Sequence, residues 1–291
     1  MAESRIAEFL RARRAMVRPE DVGLPDSGRR RVPGLRREEL AILAGVSIDY
    51  YTRLEQGRDH HPSEQIVDAL ARALRLDDDA TAYLHRLARP SAVAGDGERY
   101  QLTERVRPGV IELLDAWDHT PAFVTGRYLD VLAANRLAKA LSPMHAVGGN
   151  LLRAIFLDPR AGELHPDREA FGPRLVATLR AAVAPRLDDP ALKALVRELS
   201  LESDEFRRLW AQHVVRDRAD GVKQFPHPRL GPIELRYETF TINGHGAEGQ
   251  IVVAYHAAPG SPGHHALTML EDAGAGPRDT PATPAAARTG P

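Results

Sequence analysis

Residues 36–62, RREELAILAGVSIDYYTRLEQGRDHHP, hold the pattern that indicates the fold of this 291-residue chain. Apolar residues recur at helical spacing over 36–44 and predict a helix with one buried stripe. Gly45 then permits a sharp reversal because it has no Cβ atom, and Ser47 stands where the N-cap of a second helix, 47–56, belongs. Two short helices joined by a tight turn form a helix-turn-helix. The predicted stripe consists of Leu40, Ala41, Leu43 and Ala44.

The second helix of this pair has an outward face rich in polar side chains. Tyr51 and Leu54 are three residues apart and are predicted to face the core. A polar face on the second helix of a helix-turn-helix is typical of insertion into the major groove of DNA. The alternative interpretation is an ordinary helical hairpin inside a helical domain. We predict contacts to base edges or adjacent phosphates from Ser47, Ile48, Asp49, Tyr50 and Arg53.

The distribution of charge supports double-stranded DNA as a partner, although the net charge of the chain is −1. Between residues 5 and 37 there are ten arginines and four acidic residues, and neutralisation of phosphates needs such an excess. A solvated basic loop is the alternative. The predicted contacts to the DNA backbone are Arg36, Arg37 and Arg58. The long connection 17–35 adds predicted contacts to phosphates or a neighbouring minor groove from Arg29, Arg30 and Arg31.

The composition argues against several classes of protein. Without cysteine the chain has no disulfides, no thiolate catalysis and no cysteine-ligated metal. There is no run of about 18 apolar residues, and the first twenty residues are rich in charge, so neither a membrane span nor a secretory signal is predicted. We expect a soluble, cytoplasmic protein. Glycine-rich phosphate loops and the GxSxG and HExxH motifs are absent, and the twelve histidines are scattered, so we predict neither an enzyme nor a metal site.

The chain is long enough for two domains. Residues 1–90 form the predicted helix-turn-helix domain, and 91–101, small, polar and without periodicity, form a predicted linker. Residues 102–272 form the second domain. The tail, 273–291, is predicted to be disordered because it is poor in apolar bulk. The first domain is predicted to contain five helices, over 5–15, 36–44, 47–56, 63–74 and 77–89.

The second domain combines strands and helices. Strand character occurs over 122–133, and alternation predicts strands over 233–242 and 249–258 with a turn at Asn243-Gly244. The predicted order is strand–strand–helices–strand–strand–strand, a small antiparallel sheet with helices over one face, as in PAS-like sensors. Periodicity alone supports only an α+β fold. Helices are predicted over 111–117, 135–141, 151–156, 169–184, 190–199 and 203–214.

Several motifs resemble a known family of bacterial regulators. The pattern of the Xre/Cro helix-turn-helix is carried by Glu39-Leu40-Ala41, Ala44-Gly45-Val46-Ser47 and Leu54-Glu55-Gln56-Gly57. The phrase PGLRREELAILAGVSIDYYTRLEQGRDHHPS is closer to the MmyB-like subgroup, which NLLRAIFLDPRAGELHPD, LSLESDEFRRLWAQHVVRDR and the run from Phe225 to Pro262 also resemble. The resemblance extends from about Ile6 to Leu270. Arg37 departs from the family, which usually has glutamine there.

The resemblance implies a transcriptional regulator whose PAS-like C-terminal domain holds a small, apolar effector such as a fatty acid, with no other cofactor. We expect a homodimer, which places one recognition helix in each of two successive major grooves. A solid core is the alternative to a pocket. The alternative function is a helix-turn-helix module whose C-terminal domain binds a protein partner, as an antitoxin or co-regulator does. The predicted pocket is lined by Phe123, Leu132, Asn135 as a polar orienting group, Phe156, Trp210, His213, Leu235, Tyr237, Val253 and Tyr255.

Overall fold

The computed structural model describes residues 5–24, 34–59, 62–88, 104–183, 187–216, 220–244 and 249–274. A helical N-terminal domain precedes a C-terminal α+β domain with a five-stranded antiparallel sheet, which confirms the predicted fold class. The predicted linker, 91–101, and Arg29, Arg30 and Arg31 lie outside the described residues. In the described part of the chain, no helix combines the length and the apolar character needed to cross a membrane.

Five α-helices build the N-terminal domain, each within one residue of its predicted ends. Their apolar faces meet in one core that contains Phe9, Tyr51 and Leu70. A short 3-10 helix, Pro19–Val22, follows the first of them. The helices are α1 (Arg5–Met16), α2 (Arg37–Ala44), α3 (Ile48–Glu55), α4 (Glu64–Ala73) and α5 (Asp78–Ala88).

The turn between α2 and α3 has the predicted form. Gly45 adopts a φ of +67°, a left-handed conformation that favours glycine, and the Ser47 hydroxyl oxygen accepts a hydrogen bond from the Tyr50 amide at 3.1 Å. One detail of the prediction is wrong, because Leu43 is 37% exposed and lies outside the buried stripe. Successive helical residues are rotated by about 100°, which takes position 43 off the buried face. That face consists of Leu40, Ala41 and Ala44.

The C-terminal sheet has the strand order β2-β1-β5-β4-β3. Its strands are β1 (Ala122–Thr125), β2 (Val131–Ala134), β3 (Asp220–His227), β4 (Gly231–Thr241) and β5 (Ile251–His256). Phe123 of β1 lies opposite Val253 of β5, which lies opposite Thr239 of β4. This register places alternate residues of three strands on one face. The predicted strand order includes β3 without locating it, because its sequence, DGVKQFPH, has no clear apolar alternation.

Helices complete the C-terminal domain, together with a short 3-10 helix, Pro143–His145. They are α6 (Pro108–Asp115), α7 (Arg136–Leu141), α8 (Leu151–Phe156), α9 (Ala161–Leu164), α10 (Arg168–Val183), α11 (Pro190–Glu202), α12 (Asp204–Ala211) and α13 (Pro262–Gly274). They cover both faces of the sheet, which corrects the prediction of one covered face. Most enclose the larger core around Phe123 and Tyr255, whereas α6 brings Leu114 against Val124 and Val252 on the other face. Strands that are buried on both faces have nearly continuous apolar sequences instead of alternating ones.

The last helix, α13, corrects the predicted end of the second domain. Ala273 and Gly274 belong to this helix and not to a disordered tail. Leu267 and Leu270 are buried in the larger core, so packing against the sheet and its helices stabilises α13. The rest of the predicted tail, 275–291, lies outside the described residues.

Candidate DNA interface and ligand cavity

The outward face of α3 matches the predicted DNA-reading surface. Ile48, Asp49 and Arg53 are exposed, and Tyr50 is half-buried. The Arg53 guanidinium carbon lies 5.9 Å from the centre of the Tyr50 ring, near the limit of a cation–π contact. Ser47 is also exposed, and its oxygen caps α3. These five predicted residues therefore form one solvent-facing surface at the start of a helix, and a helix fits the width of a major groove.

Three arginines flank this surface. Arg36 precedes α2 and Arg58 follows α3, and both are exposed. Arg37 opens α2, where its Nε donates to Glu55 Oε1 at 3.2 Å, and 46% of its side chain remains exposed. One nitrogen of Arg37 is therefore committed to the fold, and its predicted phosphate contact depends on the rest of the guanidinium.

Part of the arginine excess seen in the sequence is neutralised within the fold. Arg14 pairs with Glu55, and Arg18 pairs with neighbouring carboxylates. Arg5 pairs with Asp188 of the C-terminal domain. The positive charge available to DNA is consequently smaller than the count over residues 5–37 predicts.

A buried carboxylate orients α3 from behind. Glu55 is fully buried and accepts from Arg14 Nε at 2.9 Å and from Arg14 Nη2 at 2.8 Å. Arg14 also donates to the Leu35 carbonyl oxygen at 2.6 Å. Burial is the largest single influence on the pKa of Glu55 and raises it, but the interactions with Arg14, Tyr51 and Arg37 together hold this pKa below its ordinary value. In the sequence Glu55 is a motif residue without an assigned role; in the fold it ties α3 to α1 and, through Arg37, to α2.

A cavity of about 70 Å³ lies between the sheet and α10. Its lining is mainly apolar. The strand register explains why residues from β1, β4 and β5 meet there, on a single face. An apolar cavity of roughly 150 Å³ holds a benzene molecule, so the present volume accommodates only a smaller group. Four of the predicted pocket residues line it, namely Phe123, Tyr237, Val253 and Tyr255.

Asn135 is used by the fold, which corrects its predicted role as an orienting group for a ligand. It is buried and caps α7, with Oδ1 accepting from the Ala138 amide at 2.9 Å and the Ala122 amide at 3.1 Å. Both ends of the side-chain amide are therefore paired with backbone. Its Nδ2 donates to the carbonyl oxygens of Leu114, Trp117 and Thr120.

Two predicted strand residues also lie outside the cavity lining. Leu132 packs against the small core beneath α6, on the opposite face of the sheet. Leu235 is fully buried in the larger core but does not reach the cavity. Alternation along β2 and β4 shows which residues of a strand share a face. Only the sheet register shows which face holds the cavity.

Three predicted residues lie in the helical layer instead of the pocket. Phe156 makes an edge contact with Phe206, which stacks on Trp210 with ring centres 5.9 Å apart. His213 follows α12 and lies beside Arg180, with 3.1 Å between His213 Nδ1 and Arg180 Nη1. The prediction that Trp210 and His213 share one helix face is wrong, because α12 ends at Ala211 and His213 follows it.

Ten cavity residues were not predicted. Alternation from Phe123 and Val253 identifies their strand neighbours two positions away, so Thr125 and Ile251 were within reach of the sequence. The residues of α10 were not, since periodicity does not tell which helix covers the sheet. The ten are Thr125, Leu129, Met144, Leu151, Phe171, Arg174, Leu175, Thr178, Thr239 and Ile251.

Helix α10 connects the cavity with the N-terminal domain. Phe171 and Leu175, in its first half, line the cavity. Near its end, Ala181 packs into the core of the N-terminal domain, and the Arg180 guanidinium interacts electrostatically with Tyr83 of α5. Helix α10 therefore contacts both the cavity and the core of the N-terminal domain.

Arg180 is the centre of this contact between domains. Its side chain is 2% exposed, and its guanidinium carbon lies 3.8 Å from the centre of the Trp210 ring. Its Nη2 donates to the Trp210 carbonyl oxygen. Burial lowers the pKa of Arg180, and burial with the neighbouring Arg180 charge lowers the pKa of His213 to about 3. His213 is thus neutral near neutral pH and able to accept from Arg180.

Comparison with known families agrees with this division of the chain. Residues 5–84 match a helix-turn-helix domain, which contains α2 and α3. Residues 106–270 match the ligand-binding domain of MmyB-like transcription regulators, which contains the sheet, the cavity and α10. No curated protein matches the chain. Because the second match covers more than half of its length, the chain belongs to the MmyB-like transcription regulators.

Proposed function

We propose that this protein is a sequence-specific transcription regulator of the cytoplasm whose operator affinity is set by a small, apolar effector in the C-terminal domain. Membership of the family supplies the coarse function, a helix-turn-helix joined to a ligand-binding domain. The observation that carries the finer proposal is α10, because one helix lines the cavity and also packs against the N-terminal domain.

The exposed chemistry of α3 suits direct reading of bases. Arg53 is suited to donate two hydrogen bonds to guanine O6 and N7, and Asp49 to accept from cytosine N4. Ile48, 49% exposed, offers an apolar contact to a thymine methyl group. Arg36 and Arg58 then hold the phosphates. As a homodimer the protein would occupy two half-sites whose centres are about 34–36 Å apart.

Selection of genomic fragments tests DNA recognition. Purified full-length protein is incubated with sheared genomic DNA of its own source at about 0.15 M salt, where non-specific binding is weak, and the retained fragments are sequenced. We expect a short, two-fold symmetric consensus. A retained pool without any consensus contradicts sequence-specific binding.

The size of the cavity supports an effector that changes the conformation of the domain. A volume of about 70 Å³ is too small for an acyl chain, so binding of such a ligand requires α10 or its neighbours to move. Movement of α10 displaces Arg180 and Ala181, which contact the N-terminal domain. The effector would thereby shift the population of docked and released domains without new chemistry.

Mass spectrometry of an organic extract tests the effector. Full-length protein is purified without detergent, extracted, and compared with an extract of the same mass of an unrelated protein from the same cells. We expect one class of apolar small molecule in stoichiometric amount. An empty extract, with no rise in unfolding temperature on adding acyl ligands, contradicts the effector; a stoichiometric co-purifying protein would replace it with a protein partner.

A further inference from the structure

A second cleft, of about 390 Å³, lies beside α10, between this helix and residues 212–216. Two arginines line it, Arg174 and Arg216, and none of the lining residues is acidic. Among the residues that the structure describes, neither guanidinium forms an ion pair with a carboxylate. Within the described part of the chain, the cleft therefore holds two arginine charges that no carboxylate pairs with.

The remaining walls of this cleft suit an organic molecule. Pro173, Leu209 and Val214 supply apolar surface, and Gln212 supplies an amide. Sites for small molecules commonly have volumes of about 300–1,000 Å³, with apolar walls and a few polar groups that fix orientation. The volume and lining of this cleft fall within that description.

The cleft borders the contact between the two domains. Val215, next to Arg216, is 1% exposed and belongs to the core of the N-terminal domain. Across the boundary, Arg13 of α1 is partly buried and feels the charge of Arg216. Burial is the main cause that lowers the pKa of Arg13, Asp77 acts in the opposite direction, and Arg216 lowers it further. The carboxylate of Asp77 thus offsets the effect of Arg216 on Arg13 at this border.

We propose that this cleft binds a small organic anion, a carboxylate or phosphate carried on an apolar body, with its acid group between Arg174 and Arg216. The planar guanidinium fork matches both kinds of anion, and the apolar walls hold the body of the ligand. The site is separate from the effector cavity, although Arg174 borders both.

Isothermal titration calorimetry of the full chain with phenyl phosphate tests this site. We expect the wild type to bind, and Arg174→Gln and Arg216→Gln each to bind at least about tenfold more weakly, since each removes one charged donor. Arg208→Gln is the matched control, because Arg208 is exposed on α12 and does not line the cleft. Thermal unfolding of each variant checks that the fold is retained.

Two further probes separate the parts of the proposal. Benzyl alcohol lacks the acid and should not bind; inorganic phosphate lacks the apolar body and should bind more weakly than phenyl phosphate. The proposal is overturned if the wild type does not bind phenyl phosphate, if Arg208→Gln weakens binding as much as the cleft variants, or if benzyl alcohol binds equally well. Equal binding of inorganic phosphate overturns the role of the apolar walls. Because Arg174 borders both sites, the Arg216→Gln result is the one that distinguishes this cleft from the effector cavity, which Arg216 does not line.

Discussion

The Glu55 side chain holds helix α3 in place against two other helices. Its carboxylate is fully buried and receives two hydrogen bonds from Arg14 and one from Arg37. A buried ion pair adds little net stability, but removal of one partner leaves an uncompensated charge. Glu55 therefore fixes the angle of α3 against α1, and removal of its carboxylate should lower the stability of the domain.

Glu55→Ala is expected to lower the free energy of unfolding of the N-terminal domain by about 3–5 kcal/mol, because Arg14 then remains partly buried without its carboxylate. Chemical denaturation followed by circular dichroism measures this loss. Glu64→Gln, at an exposed position on α4, is the control and should cost less than about 1 kcal/mol. A similar small cost for both variants would show that the buried pair does not hold the domain.

Arg53→Ala is expected to weaken binding to the selected operator by about 1–3 kcal/mol and to relax sequence preference at one position of each half-site. Gel-shift titrations with the operator and with single-base variants measure both effects. Arg72→Ala, exposed on α4, removes the same charge away from α3 and should leave the preference unchanged. Retained affinity and preference in Arg53→Ala would contradict reading by this face.

His145 makes the stability of the C-terminal domain depend on pH in the acid range. It is fully buried, its Nδ1 donates to the Ala138 carbonyl oxygen at 2.9 Å, and its ring stacks on Phe123. Burial, with a smaller effect of the positive Lys223, lowers the pKa of His145 from 6.5 to about 3. Between these values the unfolded chain binds a proton that the folded domain does not, so stability is lost as the pH falls below 6.5.

We therefore expect the unfolding temperature of the wild type to fall between about pH 6.5 and about pH 4, and to fall less steeply in His145→Phe. Thermal scans across this range measure the two slopes. His165 and His213 also have lowered pKa values, of about 4 and about 3, so the slope should be reduced but not abolished. Parallel curves for the two proteins would contradict the role of His145.

Among the helices and strands, those predicted best are specified by local chemistry. The N-cap at Ser47, the left-handed Gly45 and the 3.6-residue period act within a few residues, and the five N-terminal helices follow from such signals. Strand β3 and helix α13 do not, because β3 lacks clear apolar alternation and α13 is stabilised by packing against distant residues of the larger core. The exposure of the predicted DNA-reading residues follows from a similar local signal, the helical period along α3.

The cavity shows the limit of local signals. Strand alternation identified Phe123 and Val253 correctly, because parity along a strand is local. It placed Leu132 on the wrong face and left out every residue of α10, since the helix that covers a sheet depends on tertiary packing. Asn135 was misinterpreted for a related reason: its partners lie up to 21 residues away in the sequence.

Arg180→Ala is expected to loosen the contact that α10 makes with the N-terminal domain. The variant loses the electrostatic interaction with Tyr83 and the contacts to Trp210 and His213, so differential scanning calorimetry should resolve two transitions where the wild type shows one. Arg197→Ala, exposed on α11, is the control and should keep the single transition. A single unchanged transition in Arg180→Ala would mean that the domains are not coupled through this residue.

For the molecule as a whole, the proposed function requires that the two candidate sites are thermodynamically coupled. The effector cavity and α3 belong to different domains, and α10 together with the buried Ala181 and Val215 joins their cores. An effector that alters operator affinity must itself be bound more tightly or more weakly, by the same factor, when the operator is present. Ligand control of DNA binding can therefore be measured as a change in operator affinity when effector is added, or as a change in effector affinity when operator is added.

The most direct measurement is the affinity of the full-length protein for its selected operator, with and without a saturating amount of the extracted effector. We predict a change of about 5–150-fold, the usual range of coupling between two sites, and no change in Val253→Phe, whose larger side chain fills the cavity. Fluorescence anisotropy at fixed salt provides both values. Identical operator affinity of the wild type in the two conditions, with the effector shown to be bound, would contradict ligand control through the C-terminal domain.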